Sequence, residues 1–235
     1  DAMFRRWLAL GCLWWGALQA GAPPFQLDRW FTVPKSPRIA NYRIQAALDW
    51  PAKRLEGRET LTWRNTGGAP TQELPLHLYL NAFKGPQSRF ATEGGLSETR
   101  RRSQHPQDWG YCRLKTVRLG HRELSGHFGE DETIWWVRLP EPVVPGASIQ
   151  LDLEWEAQFP RAVARTGWGG NFLMGAQWYP KVGVYQGDRW HCAPYHAHTE
   201  FFADFGTYDV ELSLPNALLL AHTGTQVNFQ NAEDV

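Results

Sequence analysis

The chain has 235 residues, 24 Lys plus Arg against 24 Asp plus Glu, and a formal net charge of +0. That balance provides no global field for nucleic acid or an anionic membrane surface, and the length suits one large domain or two small ones with ample core. Its 13 tryptophans each bring a large apolar surface and one N–H donor. Trp50, Trp63, Trp135, Trp136 and Trp155 fall in strand-like runs, which points to core and sheet-face packing.

Phe4, Arg5 and Arg6, then an apolar run over 7–18 and small residues, have the build of a signal peptide over 1–20. Cleavage after Ala20 is favoured over Ala22, because Pro23 would otherwise open the mature chain. The run is too short to span a bilayer, and Cys12 after Ala9, Leu10 and Gly11 is a poor lipoprotein site. Export to the periplasm or the exterior is the expectation. Residues 21–37 carry Pro23, Pro24, Pro34 and Pro37 and read as an extended lead-in.

Strand signals begin at Tyr42, Ile44, Ala46 and Leu48, which alternate with polar or small residues. Leu55, Leu61 and Trp63 continue the device, and a turn follows at 65–68. Leu74, Leu76, Leu78 and Leu80 alternate strictly with His77, Tyr79 and Asn81, predicting a third strand. Over 84–110 periodicity stops; a loop that long in a compact domain is functional or partly disordered. It holds Arg100, Arg101 and Arg102, which read as a solvated loop or as an anion site. Strands resume at 113–119 and 133–139, with a proline-rich connection over 140–146. Ile149, Leu151, Leu153 and Trp155 then face inward, Tyr208, Val210, Leu212 and Leu214 repeat the pattern, and 218–221 reads as a short partner strand. No window outside the leader shows helical amphipathicity. The sequence predicts an all-β, antiparallel or mixed sandwich over 38–235. Cys112 and Cys192 could pair in an exported protein or remain two buried thiols.

The chemistry-bearing residues cluster late, at His191, Cys192, His196, His198 and Glu200. In a strand, His196, His198 and Glu200 would share one face and could hold zinc or another divalent ion; hydrogen-bonded loop residues are the competing reading. None of the eight histidines is followed by Glu, so the His-Glu-x-x-His zinc motif is missing. There is no phosphate-binding loop, dinucleotide fingerprint or Gly-x-Ser-x-Gly elbow, and nothing completes a nucleophile–base pair.

Tyr42-Arg43-Ile44 through Arg64-Asn65, then 76–83, 177–185 (QWYPKVGVY) and above all 200–210 (EFFADFGTYDV) resemble the N-terminal β domain of bacterial zinc metallopeptidases of the aminopeptidase N family, relatives of leukotriene hydrolase. The resemblance covers most of the chain after the leader and implies a saddle-like β-sandwich that shapes the substrate cleft. A catalytic domain holding the zinc would follow; none of that machinery is in this chain, and its partners would be that domain and a peptide substrate. In relatives a Gln-x-Gln or Gln-x-Glu pair from this domain reaches the cleft. Gln177 matches the first position and Tyr179 the second, where the usual amide or carboxylate is lost. The family's Gly-x-Met-Glu-Asn motif is also missing, since Gly175 follows Met174. The rival readings are a secreted carbohydrate- or protein-binding module with Trp168, Trp178 and Trp190 as platform, and a small metal-binding β protein centred on His196 and His198.

Overall fold

The computed structural model describes residues 36–227. The leader expected over 1–20 and nearly all of the proline-rich lead-in lie outside the described residues. Residues 36–219 form one unit. Its strands are β1 (Ala40–Asp49), β2 (Arg54–Arg64), β3 (Thr71–His77), β4 (Tyr111–Leu119), β5 (Arg122–Glu123), β6 (Gly126–Phe128), β7 (Ile134–Val143), β8 (Ser148–Gln158), β9 (Gly167–Gly169), β10 (Phe172–Met174), β11 (Lys181–Val182), β12 (Val184–Gln186), β13 (Arg189–His191) and β14 (Tyr208–Ser213).

β1 and β2 pair antiparallel from Ala40 opposite Trp63 to Asp49 opposite Arg54. Their turn closes on Lys53, which has φ 56 and donates from Nζ to Trp50 O at 2.7 Å. β8 pairs with β2 along its whole length. A six-stranded sheet results, in the order β14-β1-β2-β8-β4-β5, with β14 parallel to β1 and the other pairs antiparallel. A second sheet runs β11-β3-β7-β6, and β9–β10 and β12–β13 are small hairpins.

The alternation expected in β1, β2 and β8 is present because each buries one face. Leu61, Trp63, Leu151, Leu153 and Trp155 share one apolar cluster with Leu74, Leu76, Val137 and Leu139 of the second sheet. Each such side chain contributes roughly 1.5–3 kcal/mol when fully buried. Trp155 lies over Gly57, its register partner; a Cβ at Gly57 would come within 2.2 Å of the indole. Asn65, fully buried, closes the next corner: its Nδ2 donates to Ala69 O and Val143 O, and its Oδ1 accepts from Gly67 N at 2.9 Å. The chain is all-β, a mixed sandwich, as its patterning predicts.

Five expectations are corrected. The leucine alternation at 74–80 does not make one strand: β3 ends at His77 and Tyr79–Phe83 form a 3-10 turn in which every residue is buried. Asn81 fastens that turn, donating to Glu132 O and accepting from Cys112 N. The loop over 84–110 contains short helical turns at Ala91–Gly95, Glu98–Arg101 and Pro106–Asp108, and sends Phe90, Ala91 and Leu96 into the core. β7 runs through Pro140 and Pro142, because the pairing with β3 is irregular there and asks no ladder N–H of them. β14 is an edge strand rather than half-buried, with Tyr208 45% and Val210 42% exposed, and 218–221 form no strand beside it.

Candidate functional site

The two segments singled out at 177–185 and 200–210 meet on Tyr42. Parallel register sets Tyr42 beside Tyr208, and their rings stack at 4.9 Å. Tyr179 packs edge-on against Tyr42 at 5.5 Å and Tyr208 at 6.0 Å, with Trp178 at 5.3 Å. Val182 N donates to the Tyr42 hydroxyl at 3.2 Å. Burial, then the neighbouring Tyr208, drive the Tyr179 hydroxyl far above its ordinary value, so it remains neutral.

Gln177 sits in a different neighbourhood. It has φ 53, and its Oε1 accepts from Lys181 Nζ at 3.4 Å. With Tyr79, Phe83, Arg165, Tyr195 and Phe201 it lines a cavity of about 10 Å³, room for about one water. Phe201 belongs to the second segment, so both segments also share this cavity.

The late cluster of histidines is divided among other partners. His196 Nδ1 lies 2.9 Å from Glu93 Oε1, and Ala197 N donates to Glu93 Oε2 at 3.0 Å. Glu200 accepts from both terminal nitrogens of Arg165 at 2.5 and 2.6 Å, which holds its carboxyl below the ordinary range. His198 is exposed, and 196–200 is irregular with a turn, so the alternation that would put the three on one face does not form. Among the described residues no group of three His, Cys, Asp or Glu could hold a metal ion. Zinc therefore finds no fitting donor set in them. Arg102 pairs with Glu98 at 2.8 Å in the helical turn that also holds Arg101.

Two features have no sequence motif. Cys192 Sγ lies 3.2 Å from His77 Nε2, and the His77 ring stacks on Tyr79 at 4.5 Å. Burial, reinforced by the Lys181 charge, lowers His77 to about 3, and burial pushes the Cys192 thiol up to about 12. Nucleophilic cysteines work as thiolates; this pair is neutral on both sides. Cys112 and Cys192 are both free, so they do not pair. The second feature is Glu59, 2% exposed, whose two carboxylate oxygens have no hydrogen-bond partner. Burial raises it well above the ordinary carboxylate value, with the neighbouring Trp155 indole acting in the other direction. Strand parity was the available signal: Glu59 shares the inward register of Leu55, Leu61 and Trp63.

No family model matches the chain, and no curated protein matches it. Solved structures give partial likenesses. One is a two-domain M1 zinc metallopeptidase bound to L-tryptophan, at 16% identity and TM-score 0.34, over 57% of this chain and 23% of that one. Another is the M1 zinc metallopeptidase of Deinococcus radiodurans, at 18% identity and TM-score 0.35, over 57% of this chain and 25% of that one. The matched region thus spans about a quarter of those proteins. A likeness this partial fixes neither reaction nor substrate. Among the described residues no helix is long and apolar enough to cross a membrane.

Proposed function

We propose that this chain is the non-catalytic N-terminal β domain of an exported, aminopeptidase-type zinc metallopeptidase, and that it shapes the substrate cleft of a catalytic domain encoded downstream. One observation carries the reading. The two segments that resemble the family, 177–185 and 200–210, converge on Tyr42 and on one shared cavity. The surface beside them also suits a covering domain: β14 is an open edge, and Phe202 and Phe205 are 54% and 66% exposed. The zinc of such an enzyme would be held by residues outside this chain.

In this reading the Gln177 amide, at the rim of the cavity, binds the substrate's amino-terminal end, and Tyr179 braces the wall by packing. The test uses the longer protein that carries the downstream His-Glu-x-x-His segment. Gln177→Ala should raise KM for amino-acid arylamides about fivefold with kcat little changed, the worth of one lost hydrogen bond. Tyr179→Phe should leave KM alone. An unchanged KM in Gln177→Ala, or the lack of any zinc motif downstream, overturns the proposal.

A further inference from the structure

A second concave surface lies on the outer face of the smaller sheet, and none of Gln177, Tyr179 or Tyr208 lines it. It is a groove of about 460 Å³ lined by Gln72, Glu73, Trp136, Arg138, Asp188 and Trp190. That size falls within the roughly 300–1,000 Å³ of small-ligand sites. Trp136 and Arg138 are two apart on β7 and so share its outer face, where Glu73 of β3 pairs opposite Arg138. The β12–β13 hairpin forms the other wall.

The two walls differ in how their groups are engaged. Trp190 is fixed: its Nε1 donates to Thr71 Oγ1 at 3.0 Å, and its ring packs on Trp63 at 5.1 Å and Tyr185 at 4.9 Å. Trp136, partly exposed, has no aromatic ring partner and no hydrogen-bond acceptor for its indole N–H among the described residues, and the nitrogen edge of the ring lies against Gly129. The exposed Asp188 carboxylate, at the tip of the hairpin, is also unpaired among them. Arg138 and Glu73 face each other at 3.8 Å, the arginine exposed and the glutamate partly so. The groove thus offers one partly exposed aromatic ring, an unpaired carboxylate and a guanidinium that faces a second carboxylate.

We propose that this groove binds a short neutral oligosaccharide. A sugar ring presents an apolar C–H face to an aromatic and hydroxyls to planar polar side chains, which matches Trp136 flanked by Asp188, Arg138 and Gln72. An anionic ligand is disfavoured because the carboxylates of Glu73 and Asp188 outnumber the Arg138 guanidinium in the lining. An extended peptide adding to the β3 edge is disfavoured by the backbone. The Glu73 carbonyl is already taken by the Thr71 hydroxyl at 2.8 Å, Pro75 has no N–H, and the Pro75 carbonyl accepts from Gly183 N. The platform is therefore Trp136. Of the tryptophans the sequence suggested, Trp168 spends its N–H on Gln107 O and Trp178 packs on Trp155 and Tyr179.

The test titrates the full chain with cellohexaose, chitohexaose and maltohexaose, reading tryptophan fluorescence and heat, and stands apart from any peptidase assay. At least one of the three should bind saturably at up to millimolar concentration. Trp136→Ala should weaken it about tenfold or more, and Trp168→Ala should leave it unchanged. Should Trp136→Ala fail to fold, Asp188→Asn, on an exposed turn, decides instead with a loss of about fivefold. The inference is overturned if none of the three binds, or if binding survives in whichever variant is folded. It is overturned equally if the groove takes a casein-derived peptide mixture in a Trp136-dependent way and no glycan.

Discussion

Glu59 and His77 are buried ionisable groups whose effects on stability run in opposite directions with pH. Burial holds the Glu59 proton in the folded chain at pH values where the unfolded chain, with its ordinary value of 4.5, has released it. Stability from this group is intact below that value and falls as pH rises toward the higher folded value, by about 1.4 kcal/mol per pH unit. His77 behaves conversely. The unfolded chain takes up a proton below the ordinary 6.5, which the folded chain declines until about 3, so stability rises with pH across that window at the same rate. Above pH 4.5 the two slopes oppose each other. Glu59→Gln removes the falling slope and leaves the rising one, so its stability should climb relative to the parent chain as pH rises above 4.5, at up to about 1.4 kcal/mol per pH unit. His77→Gln should fall by about 2 kcal/mol relative to the parent from pH 4.5 to 6.5. Urea unfolding at half-unit pH steps measures this, and the slope matters rather than the absolute value, which also carries the cost of the substitution. If Glu59→Gln keeps the parent's pH dependence, Glu59 is not a buried, protonated carboxyl and the reasoning is wrong.

Three further outcomes follow from the packing. Gly57→Ala sets a Cβ 2.2 Å from the Trp155 indole and should cost about 1–3 kcal/mol in urea unfolding, whereas a parent-like midpoint would show that Trp155 can move aside. Asn65→Ala orphans Ala69 O, Val143 O and Gly67 N at one corner and should cost about 2–4 kcal/mol; a loss well below 1 kcal/mol would mean that water replaces them. With Cys112 buried and Cys192 beside a neutral His77, neither of these two thiols should react with an aromatic disulfide reagent near neutral pH in the folded protein, and both should react in denaturant. Fast labelling of Cys192 in the native state would contradict its raised thiol.

The strands that were legible in the sequence are those with one wet face. Ile44 and Ala46 in β1, or Leu151 and Leu153 in β8, alternate with exposed partners and left little choice. The stretch from Leu74 to Phe83 misled because its last residues are buried all round; leucine alternation continued in the sequence after the backbone had turned at Leu78. Pro140 and Pro142 looked like a connection, and their strand survives only because the β3–β7 ladder is irregular opposite them. Tyr208 and Val210 carry an inward-facing pattern on a strand that, among the described residues, has only β1 beside it.

The candidate site was legible in part. The segments around Gln177 and Tyr208 could be picked out by their residues, but their meeting point, Tyr42, lies far away in sequence and only the parallel pairing supplies it. His196, His198 and Glu200 drew notice by spacing alone, and their partners Glu93 and Arg165 come from separate loops. The His77–Cys192 contact joins residues 115 positions apart and leaves no local trace.

The most direct measurement is hydrolysis of amino-acid arylamides by this chain alone, purified to constant specific activity and assayed with and without a zinc chelator. A scaffold whose reactive centre is encoded elsewhere should show no chelator-sensitive turnover. Turnover that survives purification and vanishes with chelator would place a working metal centre within these 235 residues and contradict the account.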